Sequence, residues 1–185
     1  MKKVIILNGS PRANGNTLCA VKHLLSGMDK KASLAYTEVN LTKEGLNPCL
    51  ACDACKKNGG FCASDKASAA LMEKVLDSDI IVLATPVYWW GVSAQLKTAI
   101  DKFYSKSDIM GPMEKKIVLV TVGAAPVDDP QYDLIQQQIE FICSHSNWKL
   151  IAHVKASAFE PGELATKPEV LREIELQGEE LVCHL

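Results

Sequence analysis

Two groups of residues in this chain are spaced for chemistry. The first runs from Asn8 to Thr17 and reads Asn-Gly-Ser-Pro-Arg-Ala-Asn-Gly-Asn-Thr. It follows the apolar run Val4-Ile5-Ile6-Leu7 and precedes a helical pattern from Leu18 to Met28. A strand, a small-residue loop and a helix start in that order form a phosphate site, because the helix N-terminus presents unpaired N–H groups and a partial positive charge. Gly9 and Gly15 are expected to take φ > 0 and let the backbone approach a ligand closely. Ser10, Asn14, Asn16 and Thr17 add hydroxyl and amide donors. Arg12 is one of two arginines in the chain, with Arg172, and a lone guanidinium there suits a phosphate or a cofactor edge. A triphosphate loop is excluded: five residues, not four, separate Gly9 from Gly15, and Asn16 stands where the lysine is required. The dinucleotide fingerprint G-x-G-x-x-G is also absent. The pattern points to a singly phosphorylated ligand; the plain alternative is an ordinary turn-rich connection.

The second group is Cys49, Cys52, Cys55 and Cys62, spaced C-x-x-C-x-x-C-x6-C with Pro48 before it and Gly59-Gly60 within it. Three thiolates at every third residue can wrap one compact centre, and the glycines let the chain turn back to deliver the fourth. Zinc sites more often pair two C-x-x-C knuckles across a longer gap, whereas the tight triple resembles cluster-binding runs of ferredoxins. The reading is a [4Fe-4S] cluster that exchanges single electrons. Lys56, Lys57 and Lys66 would offset its charge and lower thiolate pKa values. Free or disulfide-linked cysteines in a mobile loop are the alternative, with zinc third. Cys19, Cys143 and Cys183 fall in helical patterns as small core residues. His23, His145, His153 and His184 are scattered, without metal spacing, and read as surface or helix-end residues. No Ser-His-Asp or Cys-His arrangement is present.

The elements that must position these groups alternate along the chain. Ser33 to Leu41 reads as a second strand, and Asn47 to Asp65 as a long polar insertion, which at that length is usually functional. Ala67 to Leu76 is helical. Ile80-Ile81-Val82-Leu83-Ala84-Thr85 is a continuous apolar run, as in a strand buried on both faces. Pro86 to Gly91 is a loop, Val92 to Tyr104 a helix, Lys116 to Val122 a fourth strand, Gln131 to Ser146 a helix and Trp148 to Val154 a fifth strand. Thr166-Lys167-Pro168-Glu169 reads as a capping box with an early proline, opening a last helix. Strands alternating with helices predict a parallel sheet with right-handed crossovers. For the flavodoxin-like order 2-1-3-4-5, ligands bind at the carboxyl ends of the first and third strands. The loops there are Asn8–Thr17 and Thr85–Gly91, with Val122–Pro126 close by. The second of these places Tyr88, Trp89 and Trp90 beside the phosphate site, so a ligand with one phosphate and a flat ring, FMN, suits both.

The chain has 185 residues, 48% hydrophobic, with net charge −2. That suits one domain spanning 1-185, with the cysteine-rich insertion at 47-65. Neither a nucleic-acid nor a membrane partner is implied, no secretory pattern opens the chain, and a cytoplasmic location is expected, where cysteines stay reduced or bind metal.

Gly9-Ser10-Pro11-Arg12 through Gly15-Asn16-Thr17, Ala84-Thr85-Pro86-Val87-Tyr88-Trp89, and Ser93-Ala94-Gln95-Leu96-Lys97 with Asp101 together resemble the NADPH-dependent FMN reductase family, over roughly residues 1 to 155. The cysteine motif is similar to that of its iron-sulfur flavoprotein branch. Asp101-Lys102 stands where many relatives have Asp-Arg. The resemblance implies a flavodoxin-like fold, bound FMN and NAD(P)H as electron donor. It implies that Ser10, Arg12, Asn14, Gly15, Asn16 and Thr17 hold the phosphate. Pro86, Val87, Tyr88 and Trp89 would border the isoalloxazine, with Gly123 nearby. The expected activity is reduction of flavin, quinone or another acceptor, ferredoxin included, with no catalytic side chain needed because the flavin makes the bonds. A flavodoxin-like electron carrier without turnover, or a thiol or metal redox sensor, is the rival. Trp89, Trp90, Phe103 and Tyr104 lie near a cofactor edge that a monomer would leave open, which predicts a homodimer or a larger assembly.

Overall fold

A computed structural model describes all 185 residues, Met1–Leu185. Five strands, β1 (Lys2–Asn8), β2 (Leu34–Asn40), β3 (Ile80–Pro86), β4 (Lys116–Gly123) and β5 (Lys149–Ser157), form one parallel sheet of order β2-β1-β3-β4-β5. The order reverses between β1 and β3, so loops leaving those strands diverge and leave a crevice at their carboxyl ends. The flavodoxin-like doubly wound sheet expected from the alternating pattern is the one observed.

The alternation of side chains along each strand divides the core in two. Ile5, Leu7, Ile81, Leu83, Ile117 and Leu119 point to one face of the sheet. Covering them are α3 (Ala67–Asp77), α4 (Ala94–Lys102) and α6 (Pro130–His145), through Leu71, Leu96 and Ile135. Val4, Ile6, Ile80, Val82, Val118 and Val120 point to the other face, under α1 (Asn16–Asp29) and α7 (Pro168–Leu181). Strands buried on both faces are continuous apolar runs for this reason. Two short helices, α2 (Ala54–Lys57) and α5 (Ser107–Met110), complete the set. No helix is long and apolar enough to cross a membrane.

Five local expectations are corrected. Gly15 precedes α1 with φ −78°, and neither it nor Gly9 has positive φ. Their missing side chains serve close packing instead: a Cβ on Gly9 would meet Ser93 Oγ at 2.6 Å and Leu96 Cβ at 2.8 Å. Thr166 does not cap α7. It closes a 3-10 turn, Glu163–Thr166, by donating to Glu163 O, and Lys167 takes the cap position without a side-chain bond. Phe103 is buried, packed edge-on against Trp148 with ring centroids 5.6 Å apart. His153 lies within β5 and Cys183 is exposed in a terminal 3-10 turn, so neither matches its sequence reading.

Candidate functional site

The site is built by three loops at the carboxyl ends of β1, β3 and β4. Asn8, fully buried, ends β1, and its Oδ1 accepts the Ser10 N–H at 3.0 Å, turning the chain sharply. Gly9 N–H donates to Ala84 O at 2.8 Å, fastening this loop to β3. Ser93 then joins the two loops from the start of α4. Its Oγ donates to Gly9 O (2.8 Å), and its N–H donates to Thr85 Oγ1 (2.9 Å). The same hydroxyl accepts the Leu96 N–H and caps α4. Val87 N–H donates to Val122 O at 2.8 Å, bringing the β3 loop against the β4 loop.

A cleft of about 250 Å³ opens between these loops. Ser10, Arg12, Gly15, Asn16 and Thr17 line one wall, Pro86, Val87 and Tyr88 a second, and Val122, Gly123 and Ala124 a third. Ala158 and Phe159, after β5, complete the mouth. No acidic residue lines it. The first turn of α1 is uncapped, with no side chain accepting from its N–H groups, and these orphan donors at a positive helix end suit an anion. Gly15 keeps the cradle open: a Cβ there would press on Ser10 Oγ at 3.1 Å and Arg12 Cβ at 3.0 Å. Ser10 and Thr17 supply hydroxyls and Arg12, at the exposed rim, a guanidinium. A phosphate group fits this donor set.

The structure treats the sequence-read residues differently. Nine of the eleven line the cleft, while Asn14 and Trp89 do not. Asn14 is exposed on the outer turn of its loop. Trp89 is 92% exposed on a turn in which both Trp89 (φ 48°) and Trp90 (φ 59°) are left-handed. Tyr88 and Gly91 close that turn by exchanging two hydrogen bonds of 3.0 Å. Asn16 lines the wall, but its side chain is bonded elsewhere. Nδ2 donates to Glu160 O (2.8 Å) and Oδ1 accepts the Leu164 N–H (3.1 Å), holding the segment that carries Phe159. Glu163 braces that segment by accepting the Phe159 and Glu160 N–H groups, and Lys167 first, then these two bonds, hold its carboxyl down at about 2. Ala158 and Phe159 were not found by sequence reading, because nothing local distinguishes a loop that a residue 144 positions earlier must hold.

The cysteine loop lies apart from this cleft. Cys49 and Cys52 are exposed, Cys55 and Cys62 half-buried, and the four thiols do not gather into a metal-ligating group. The loop is instead tied to α4, to α5 and to the 3-10 turn Phe103–Lys106 that joins them. Tyr104 Oη donates to Asp53 Oδ1 (2.9 Å), Lys56 Nζ to Ser107 Oγ (2.7 Å), and Lys106 Nζ to Gly59 O (2.7 Å). At its base Lys102 is buried in an ion pair with Asp65 at 3.0 Å, and donates to Cys62 Sγ at 3.2 Å. Burial opposes ionisation of Cys62, yet hydrogen bonds from Ser64 and Lys102 outweigh it and hold the thiol down at about 7. Burial likewise opposes ionisation of Asp65, but bonds from Ser68, Asn47 and Lys102 hold its carboxyl well below the usual range. The cation that meets one of the four thiols is thus Lys102, not Lys56, Lys57 or Lys66. Its signal in the sequence is a lysine on the buried face of α4.

The family model for NADPH-dependent FMN reductase matches residues 2–142. An iron-sulfur flavoprotein of Methanocaldococcus jannaschii is 33% identical over 151 residues, covering 78% of this chain and 73% of that protein. A putative NAD(P)H-dependent FMN-containing oxidoreductase of Bacillus subtilis is 25% identical over 178 residues, covering 91% and 92%. Among solved structures, an FMN-dependent NADH-azoreductase from Bacillus anthracis in complex with FMN superposes with a TM-score of 0.72. It is 13% identical, covers 98% of this chain and 100% of that one, and shares the fold.

Proposed function

The chain belongs to the NADPH-dependent FMN reductase family, and from that premise we propose that its cleft holds FMN and that it passes electrons from NAD(P)H to a quinone, free flavin or similar small acceptor. The observation that carries this is the uncapped start of α1, facing a cleft with hydroxyls, a guanidinium and no acid. FMN, when bound, supplies hydride acceptance and the release of electrons singly or in pairs. The protein's own contribution is placement. The N–H groups opening α1, with Ser10 and Thr17, would take the phosphate, and Arg12 would close over it. Pro86, Val87 and Tyr88 would border the ring on the β3 side and Gly123 and Ala124 on the β4 side. Ser93 keeps the two loops at a fixed separation. No side chain of the cleft needs to move a proton for hydride to arrive. A charge-assisted hydrogen bond contributes about 1.5–3 kcal/mol, so Arg12→Ala should weaken FMN binding roughly tenfold or more. Quenching of flavin fluorescence measures it; an unquenched wild-type mixture would sink the reading.

A second reading concerns Cys49, Cys52, Cys55 and Cys62, which we propose take a [4Fe-4S] cluster. Their spacing and the relative named iron-sulfur flavoprotein support it. The loop must rearrange to bring the four thiols together, releasing Cys62 from Lys102. Iron and sulfide analysis after anaerobic reconstitution tests it: about four iron atoms per chain supports the cluster, and a trace amount removes it.

A further inference from the structure

The segment that follows β5 is a surface loop whose backbone is pinned from both sides. Ala158 N–H donates to Gly123 O at 2.8 Å, carrying the pairing with β4 one residue further. Glu163 Oε2 accepts the Phe159 and Glu160 N–H groups at 2.6 and 2.8 Å. Lys167 Nζ pairs with Glu163 Oε1 at 2.7 Å and donates to Ser157 O at 2.9 Å. From α1, whose first residue is Asn16, Nδ2 donates to Glu160 O at 2.8 Å and Oδ1 accepts the Leu164 N–H at 3.1 Å. Leu164 itself is fully buried and anchors the far end. These bonds fix the backbone of Phe159, yet the residue is 71% exposed and lines the cleft mouth. Its two neighbours place it. Ala158 is bonded to Gly123 on the β4 wall, and Glu160 to Asn16 beside the phosphate cradle. Phe159 therefore stands between the cradle and the β4 wall, where the chain joining a phosphate to a ring has to pass. It lies beyond residues 2–142, over which the family model matches. An apolar side chain held in place beforehand loses little freedom when a ligand covers it.

We propose that Phe159 retains the cofactor: its phenyl ring covers the phosphate end of bound FMN and keeps water and salt from the bonds made at the start of α1, while Asn16 is the strut that holds it there. This rests on the reading of the cleft as an FMN site. Charged contacts shielded from water are screened less by salt. Partial burial of a phenylalanine is worth about tenfold in affinity, so Phe159→Ala should bind FMN about tenfold more weakly. It should also lose more affinity than wild type when salt is raised to ~0.5 M. Phe159→Leu keeps an apolar cover and should return binding to within about threefold of wild type. Asn16→Ala should weaken binding too, and the double variant should lose less than the product of the two single losses. The cofactor-free Phe159→Ala chain should melt with wild type, because the side chain it removes is exposed. Fluorescence titration with FMN at two salt concentrations, thermal unfolding without FMN and light scattering read these effects separately. A wild-type chain that fails to bind FMN overturns the cleft reading and this inference with it. Wild-type binding with Phe159→Ala unchanged within about twofold overturns the inference alone. A Phe159→Leu chain as weak as Phe159→Ala would assign the residue to ring stacking and overturn the cover, and independent losses in the double variant would overturn the strut. A cofactor-free Phe159→Ala chain that melts well below wild type, or one whose mass in solution has changed, would give Phe159 a structural or interface role and overturn the inference as well.

Discussion

At the scale of single residues, most buried polar groups are paired, and His153 shows what burial costs. Its ring lies on β5 between Thr121 Oγ1 (2.8 Å from Nε2) and Gln136 Oε1 (2.9 Å from Nδ1). That geometry suits a neutral ring donating from Nδ1 and accepting at Nε2. Burial, with Lys155 adding to it, pushes its pKa down to about 4. The unfolded chain, with an ordinary value of ~6.5, therefore binds the proton first. Stability falls as pH drops below 6.5 and continues to fall until about 4. Between pH 7 and 5 the loss is about 1–2 kcal/mol, above the range where carboxylates titrate. His153→Gln should flatten that part of the profile in urea unfolding; an equal slope in both proteins would contradict the assignment. Sequence reading placed His153 on a surface or helix end because a lone histidine carries no local sign of its strand neighbours. Lys102 was hidden in the same way. The phosphate loop was legible because its donors are consecutive, and Asn16 deviated because its partners, Glu160 and Leu164, lie 144 and 148 residues away.

At the scale of elements, the strands and most helices were legible because hydrophobic runs report burial on two faces directly. The seam between α1 and α7 was not. Gly27 and Gly178 face each other's helices so closely that a Cβ on Gly178 would overlap Leu24 O, and one on Gly27 would overlap Glu175 O. A glycine inside a helix reads as a propensity defect, and only the partner helix reveals its purpose. Lys30 then ties the seam on its outer side to Glu175 and Glu179 at 2.8 and 3.1 Å. Because backbone atoms are the obstacle, Gly178→Ala must part the helices and should cost roughly 1–3 kcal/mol. Gly111→Ala is the control: its φ of −57° is helical, and a Cβ there meets only Ser107 O at 3.4 Å. It should change stability by less than ~0.5 kcal/mol. A Gly178→Ala chain as stable as wild type in thermal unfolding would show that the seam has slack. The same seam sets the angle of α1, whose first turn forms the phosphate cradle.

At the scale of the whole molecule, the two chemically spaced groups of the sequence end up in different states of readiness. The cleft is assembled, while the cysteine loop is held by α4 and α5 with its thiols apart. The cleft is also small: about 250 Å³ lies below the ~300–1,000 Å³ usual for enclosed small-molecule sites. Beside it Trp89 and Phe159, 92% and 71% exposed, extend apolar surface into solvent. We propose that a second copy of the chain covers this edge in a two-fold homodimer. Phe103, packed in the core, has no part in it. Light scattering at micromolar concentration should give twice the 20.1 kDa of one chain, and a monomer would remove the proposal. The central claim is narrower: the assembled cleft makes this chain a reductase and not a passive carrier. The measurement that tests it is anaerobic mixing of the FMN-loaded protein with NADPH or NADH, followed by the visible absorbance of oxidised flavin. The account predicts rapid bleaching by at least one nicotinamide, with colour restored through many turnovers when a quinone is added. Flavin that stays bound and oxidised in the presence of both nicotinamides would contradict it.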